Sequence, residues 1–110
     1  MQALVYLLLL HLAAAQTSGK PEVVTIKVEA TEKGFEPNVI NAEPGKAVRL
    51  VVTRAPAAAC NTSIQIPEKK IKRKMPRRKS ISINLGVLEK GSLRFGCGKE
   101  MTAPGIIYVK

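Results

Sequence analysis

The sequence predicts an antiparallel β-sandwich of Greek-key type, built from about seven or eight short strands. Three observations lead to it. Apolar and polar residues alternate in successive segments, as in Val24-Thr25-Ile26-Lys27-Val28 and Ser80-Ile81-Ser82-Ile83-Asn84-Leu85, which is how a strand with one wet face reads. Turn-forming Gly and Pro punctuate these segments roughly every ten residues. No segment sustains a helical period, and a chain of 110 residues has room for one such domain.

Residues Met1 to Ala15 stand apart. Leu4 to Leu12 is almost wholly apolar, and Ala13-Ala14-Ala15 before Gln16 reads as a small-residue cleavage site. The segment is expected to be a secretory signal peptide, although its only n-region charge is the amino terminus. The apolar run is short for a bilayer span. Export to the periplasm or the extracellular space follows. The stretch 16–22 is polar and small, a flexible lead-in to a domain over 23–110.

Cleavage would remove the only histidine, His11, and the chain contains no aspartate. The mature protein then lacks an imidazole base and any Ser-His or Cys-His pair, so the familiar hydrolytic chemistries are unsupported. A binding protein, not an enzyme, is expected. Lys and Arg number 18 against 8 Asp plus Glu, a net charge of +10. Such a field favours an anionic partner, an acidic protein or an anionic membrane surface. Export and the scarcity of aromatic residues argue against nucleic acid.

Taken in order, Val24, Ile26, Val28 and Ala30 form a first strand. Lys33-Gly34 turns the chain into an extended segment from Phe35 to Ile40. Glu43-Pro44-Gly45-Lys46 has Pro and Gly placed for a type II turn, and Val48, Leu50 and Val52 mark the strand after it. The loop Ala55 to Ala59 delivers Cys60-Asn61, and Ile64 and Ile66 suggest a short strand ending at Pro67. The next stretch carries eight basic residues, Lys69, Lys70, Lys72, Arg73, Lys74, Arg77, Arg78 and Lys79. Ile71 and Met75 interrupt it and are expected to anchor it to the sandwich, leaving the charges as a solvated or docking face. Asn61-Thr62-Ser63 also fits a glycosylation sequon, which matters only in a eukaryotic host.

The closing hairpin carries the chemistry. Leu93, Phe95 and Cys97 alternate with Arg94 and Gly96, the chain turns through Gly98 to Gly105, and Ile106-Ile107-Tyr108-Val109 completes it. Cys97 and Met101 thus present a thiol and a thioether together, soft donors that suit copper(I). The expected core comprises Val24, Ile26, Val28, Val48, Leu50, Val52, Ile81, Ile83, Phe95, Ile107 and Val109.

From Val23 to Lys110 the chain resembles the cupredoxins. Lys33-Gly34-Phe35-Glu36-Pro37 with Glu43-Pro44-Gly45-Lys46 looks like that family's second-strand entry and turn. Cys60-Asn61 stands where a blue-copper protein places histidine and asparagine. Cys97, Glu100, Met101 and Gly105 stand where it places cysteine, histidine, methionine and glycine. With both histidines replaced, the sequence is more similar to the branch that uses a cysteine in each ligand loop plus methionine. That branch is associated with periplasmic copper handling and copper-transport ATPases. Lys99 stands where it often has a further methionine.

The resemblance implies a copper site of Cys60, Cys97 and Met101. Two thiolates and a thioether would hold Cu(I) in preference to Cu(II), for storage, delivery or resistance. Arg94 and Lys99 would favour the thiolates, Asn61 would tie the two ligand loops together, and Glu100 would stay solvated. Two alternatives remain open. One is an electron-transfer cupredoxin with an altered site. The other is a metal-free sandwich stapled by a Cys60–Cys97 disulfide, since exported cysteine pairs commonly join. A monomer is expected.

Overall fold

Nine strands and a single 3-10 turn make up the computed structural model, which describes residues 22–110. The segment read as a signal peptide, with His11, and residues 16–21 of the lead-in lie outside the described residues. The strands are β1 (Val23–Thr31), β2 (Gly34–Glu36), β3 (Val39–Ala42), β4 (Ala47–Arg54), β5 (Ser63–Ile66), β6 (Ile71–Lys74), β7 (Ser80–Val87), β8 (Gly91–Cys97) and β9 (Thr102–Val109), with the 3-10 turn at Pro67–Lys69. They form a four-stranded sheet ordered β2-β1-β4-β7 and a five-stranded sheet ordered β3-β9-β8-β5-β6.

The sandwich expected from the alternation is present, but its sheets are mixed and not wholly antiparallel. β1 runs parallel to β4, with Val24 opposite Val48 and Val28 opposite Val52. β3 runs parallel to β9, with Ile40 opposite Ile107. The cause is the stretch read as one extended segment. It breaks at Pro37-Asn38 into β2, which pairs back on β1, and β3, which has crossed to the other sheet. The Glu43–Lys46 turn then returns the chain as β4 beside β1, in the same direction. Gly45 sits at φ +85°, the value a type II turn needs at its third position.

Eight of the expected core residues, Val28, Val48, Leu50, Val52, Ile83, Phe95, Ile107 and Val109, are buried between the sheets. Val24, Ile26 and Ile81 are half-buried. Val24 and Ile26 line a shallow groove with Ala42 and Lys46, and Ile81 belongs to the edge strand β7. Ile64, Ile66, Leu85, Leu88 and both cysteines complete the core. Phe95 meets Phe35 edge to face with ring centroids 5.6 Å apart, a preferred aromatic geometry. The Phe95 ring lies directly against Gly105, leaving no room for a β-carbon there.

Ion pairs fasten the end of the sandwich remote from the cysteines. Lys46 Nζ bridges Glu22 at 3.1 Å and Glu43 at 2.9 Å, and these carboxylates hold its pKa above the ordinary lysine value. Glu68 accepts from the Arg94 side chain at 2.8 Å and from the Arg94 backbone N–H at 3.0 Å. The Arg94 side-chain bond is the main reason that the Glu68 carboxyl lies below the usual glutamate range.

Candidate metal centre

The two cysteines, 37 positions apart in sequence, meet at one end of the sandwich and are joined as a disulfide, with Cα atoms 5.6 Å apart. Period-2 alternation places Cys97 on the inner face of β8 behind Phe95, at the point where it pairs with Ile64 of β5. Cys60 arrives on a loop pinned at several points. Ala55 N–H donates to Ala30 O at 2.9 Å, Ala58 N–H to Ala55 O at 3.1 Å, and Ala59 N–H to Thr31 O at 2.9 Å. Both residues are buried, Cys60 at 1% exposure and Cys97 at 8%.

The two loops are tied by groups that the sequence did not single out. Gly98 N–H donates to Ser63 O at 2.9 Å, and Thr62 Oγ1 lies 3.6 Å from Cys97 Sγ, at the outer limit for a hydroxyl donating to sulfur. Asn61, assigned that tie by resemblance, is exposed; its backbone carbonyl accepts from Arg54 Nη1 at 3.1 Å, a bond that does not involve the Cys97 loop. Cys60 Sγ lies 3.6 Å from Ser63 O. A disulfide sulfur has no hydrogen to give, so this is a contact only; a reduced Cys60 thiol would have an acceptor there.

Met101 lies on the same loop as Cys97 and is half-buried. Its backbone is left-handed at φ +55°, and its N–H donates to Gly98 O at 3.2 Å. Gly96 lets this turn fold close: a β-carbon on Gly96 would sit 3.0 Å from Met101 Cα. Thr102 Oγ1 donates to Cys97 O at 3.3 Å and holds the loop from its other side. Glu100 is exposed, as expected. Arg94 does not serve the thiols, because Glu68 holds it on the outer face of β8. Among the described residues no three Cys, His, Asp or Glu side chains gather as a metal cluster.

The basic run is divided by the fold. Lys69 and Lys70 sit at the 3-10 turn, at the end remote from the cysteines, because β5 and β6 form a hairpin pairing Ser63 with Lys74 and Ile66 with Ile71. Lys74, Arg77, Arg78 and Lys79 lie at the cysteine end, with Lys72 along the strand between. Arg73 reaches across the open edge and donates to Ser82 O of β7 at 3.3 Å. Ile71 packs against the core and Met75 is buried within it, the anchoring expected of them. Arg54, overlooked in the sequence as one cation among many, donates from Nη1 to both Asn61 O and Met75 O, each at 3.1 Å. It stitches the Cys60 loop to the basic loop.

The cupredoxin-like domain profile matches residues 2–109. Among solved structures, the chain is similar to the Cu(I)-loaded metal-binding domain of the Cu(I)-exporting P-type ATPase CopA of Streptococcus pneumoniae D39. The two are 25% identical with TM-score 0.72, over 84% of this chain and 91% of that one. A copper binding protein solved in its apo form shares 22% identity and TM-score 0.71, over 84% and 93% of the two chains. Auracyanin A, a blue copper protein of Chloroflexus aurantiacus, shares the fold at 10% identity and TM-score 0.60, over 80% and 99%. The chain matches no curated protein significantly in sequence. With the profile spanning nearly its whole length and the sandwich superposing on copper domains, the chain belongs to the cupredoxin-like domain family.

Proposed function

We propose that this protein is an exported, non-enzymatic copper(I) carrier that holds its cargo through Cys60, Cys97 and Met101. One observation carries the reading: two cysteines distant in sequence converge at a buried end of the fold, beside a loop bearing Met101. The similarity to a domain that binds Cu(I) supports it. In the reduced protein Cys60 and Cys97 supply two anionic sulfurs and Met101 a neutral one. Low-coordinate sulfur ligation favours the d10 ion. The pinned Ala55–Ala59 loop, the bond that Ser63 O accepts from Gly98 and the bond that Thr102 donates to Cys97 O support a preset spacing, and burial shelters the two cysteine sulfurs from water.

The test is competition between reduced protein and a colorimetric Cu(I) chelator under anaerobic conditions. One equivalent of copper should be withheld. Cys60→Ala and Cys97→Ala should abolish retention, and Met101→Ala, which removes a neutral thioether and no charge, should weaken it less severely. Glu100→Gln should be silent. Affinity should fall as pH drops, because protons compete for the thiolates. Reduced protein that withholds no copper would refute the proposal.

The disulfide favours a second reading, a metal-free sandwich stapled at this end. Disulfide sulfurs are not thiolates, so the two readings belong to two redox states of one site. Thiol counting on protein isolated without reductant decides between them: two free thiols support the carrier, and none supports the staple.

A further inference from the structure

Beside the cysteine end, Arg54, Arg77 and Arg78 line a pocket of about 300 Å³ with Ala55 and Pro56. Three arginines lining one pocket bring like charges to the same place, which an anion bound between them would offset. Among the described residues the ion pairs are those of Lys46 with Glu22 and Glu43, and of Arg94 with Glu68; none reaches this pocket. Arg54 is fixed by its two carbonyl partners, both of them at Nη1, and these bonds engage neither Nη2 nor Nε. Arg78 is held at φ +61°, a backbone conformation that a bulky residue adopts at a cost. One wall is therefore preset by the fold and the other is a short turn carrying two adjacent guanidiniums.

From this arrangement we infer that Arg54, Arg77 and Arg78 form a binding site for a phosphate group. A guanidinium presents its donors as a rigid planar fork suited to phosphate oxygens. Three forks exceed what one carboxylate can accept, whereas a phosphate offers more acceptor positions and, as a free anion, more charge. The phosphate can come from solution or from a lipid headgroup, and Ala55 and Pro56 supply an apolar wall that either source tolerates. The site does not depend on copper, though Arg54 links it to the residue following Cys60.

The test is an amide-resonance titration of the full protein with sodium phosphate, ionic strength being held constant with chloride. Saturable shifts are expected around Ala55 and Arg78. The Arg77→Gln, Arg78→Gln double variant should weaken binding by about tenfold or more. The Lys69→Gln, Lys70→Gln double variant removes equal charge at the remote end and should leave binding unchanged. Sedimentation with phosphatidylglycerol vesicles separates the sources. Vesicle binding displaced by millimolar phosphate assigns the lipid headgroup, and phosphate binding without such displacement assigns the free anion. Shifts that grow without saturating, or equal weakening in both double variants, would overturn the pocket and leave only a diffuse basic field.

Discussion

Gly105 shows how one missing atom organises the hairpin that carries Cys97. A β-carbon at 105 would penetrate the Phe95 ring, and Phe95 is fully buried against Phe35, so the ring cannot step aside without disturbing the core. Gly105→Ala should cost about 1–3 kcal/mol, the usual range for overpacking, seen as a lower melting midpoint. Glu68 offers a residue-scale test of electrostatics. Its carboxyl is depressed by Arg94, so its contribution is present above the ordinary glutamate pKa and lost as pH falls through the lowered value. Glu68→Gln should destabilise at neutral pH by no more than about 1 kcal/mol, as for other partly exposed pairs. The difference from the parent should vanish in strong acid.

At the scale of elements, the two ligand loops are held by more than the bond between their cysteines. The disulfide closes a segment of 37 positions, for which chain entropy gives a stabilisation of about 4 kcal/mol. Cys60→Ser with Cys97→Ser should lower stability by up to that amount in oxidising buffer. In reductant it should differ little from the parent, as denaturant titration would show. Gly98 N–H to Ser63 O should keep the loops adjacent in both states, while Arg54 to Asn61 O steadies the Cys60 loop. Much of this was legible in advance, because period-2 alternation marks the inward face of each strand, Cys97 included. Strand direction was not, since alternation gives the face but not the partner, and the parallel pairs arise from the break at Pro37-Asn38. Whether Cys60 and Cys97 join or bind metal was equally open, because both outcomes need the same two residues in the same two loops. Arg54 escaped notice because nothing local distinguishes it, and Thr62 was read only as part of a sequon; their structural roles exist only once three loops meet.

Over the whole molecule, charge is sorted by position along the strands. Toward the end remote from the cysteines Lys46 pairs with Glu22 and Glu43 and Arg94 with Glu68, while Lys69 and Lys70 enter none of these ion pairs. At the cysteine end Arg54, Lys74, Arg77 and Arg78 have no carboxylate pairing among those ion pairs. The sequence reported only the total of +10; the uneven sharing comes from the β5–β6 hairpin, which folds one continuous basic run into two halves.

The same hairpin has a consequence for how copies of the chain behave in crowded solution. β6 is the outermost strand of its sheet, with one side of its backbone offered to any strand that approaches. Such rims are where β-proteins stack into aggregates, and lysine along the rim is a common guard against it. Lys72-Arg73-Lys74 occupies most of β6, so two rims brought together would oppose like charges, while Arg73 also closes the gap to β7. Replacing all three with Thr should therefore promote self-association rim to rim, detected as concentration-dependent sedimentation. In the parent protein the same association should emerge only at salt high enough to screen the rim, where the Debye length shrinks to about 3 Å.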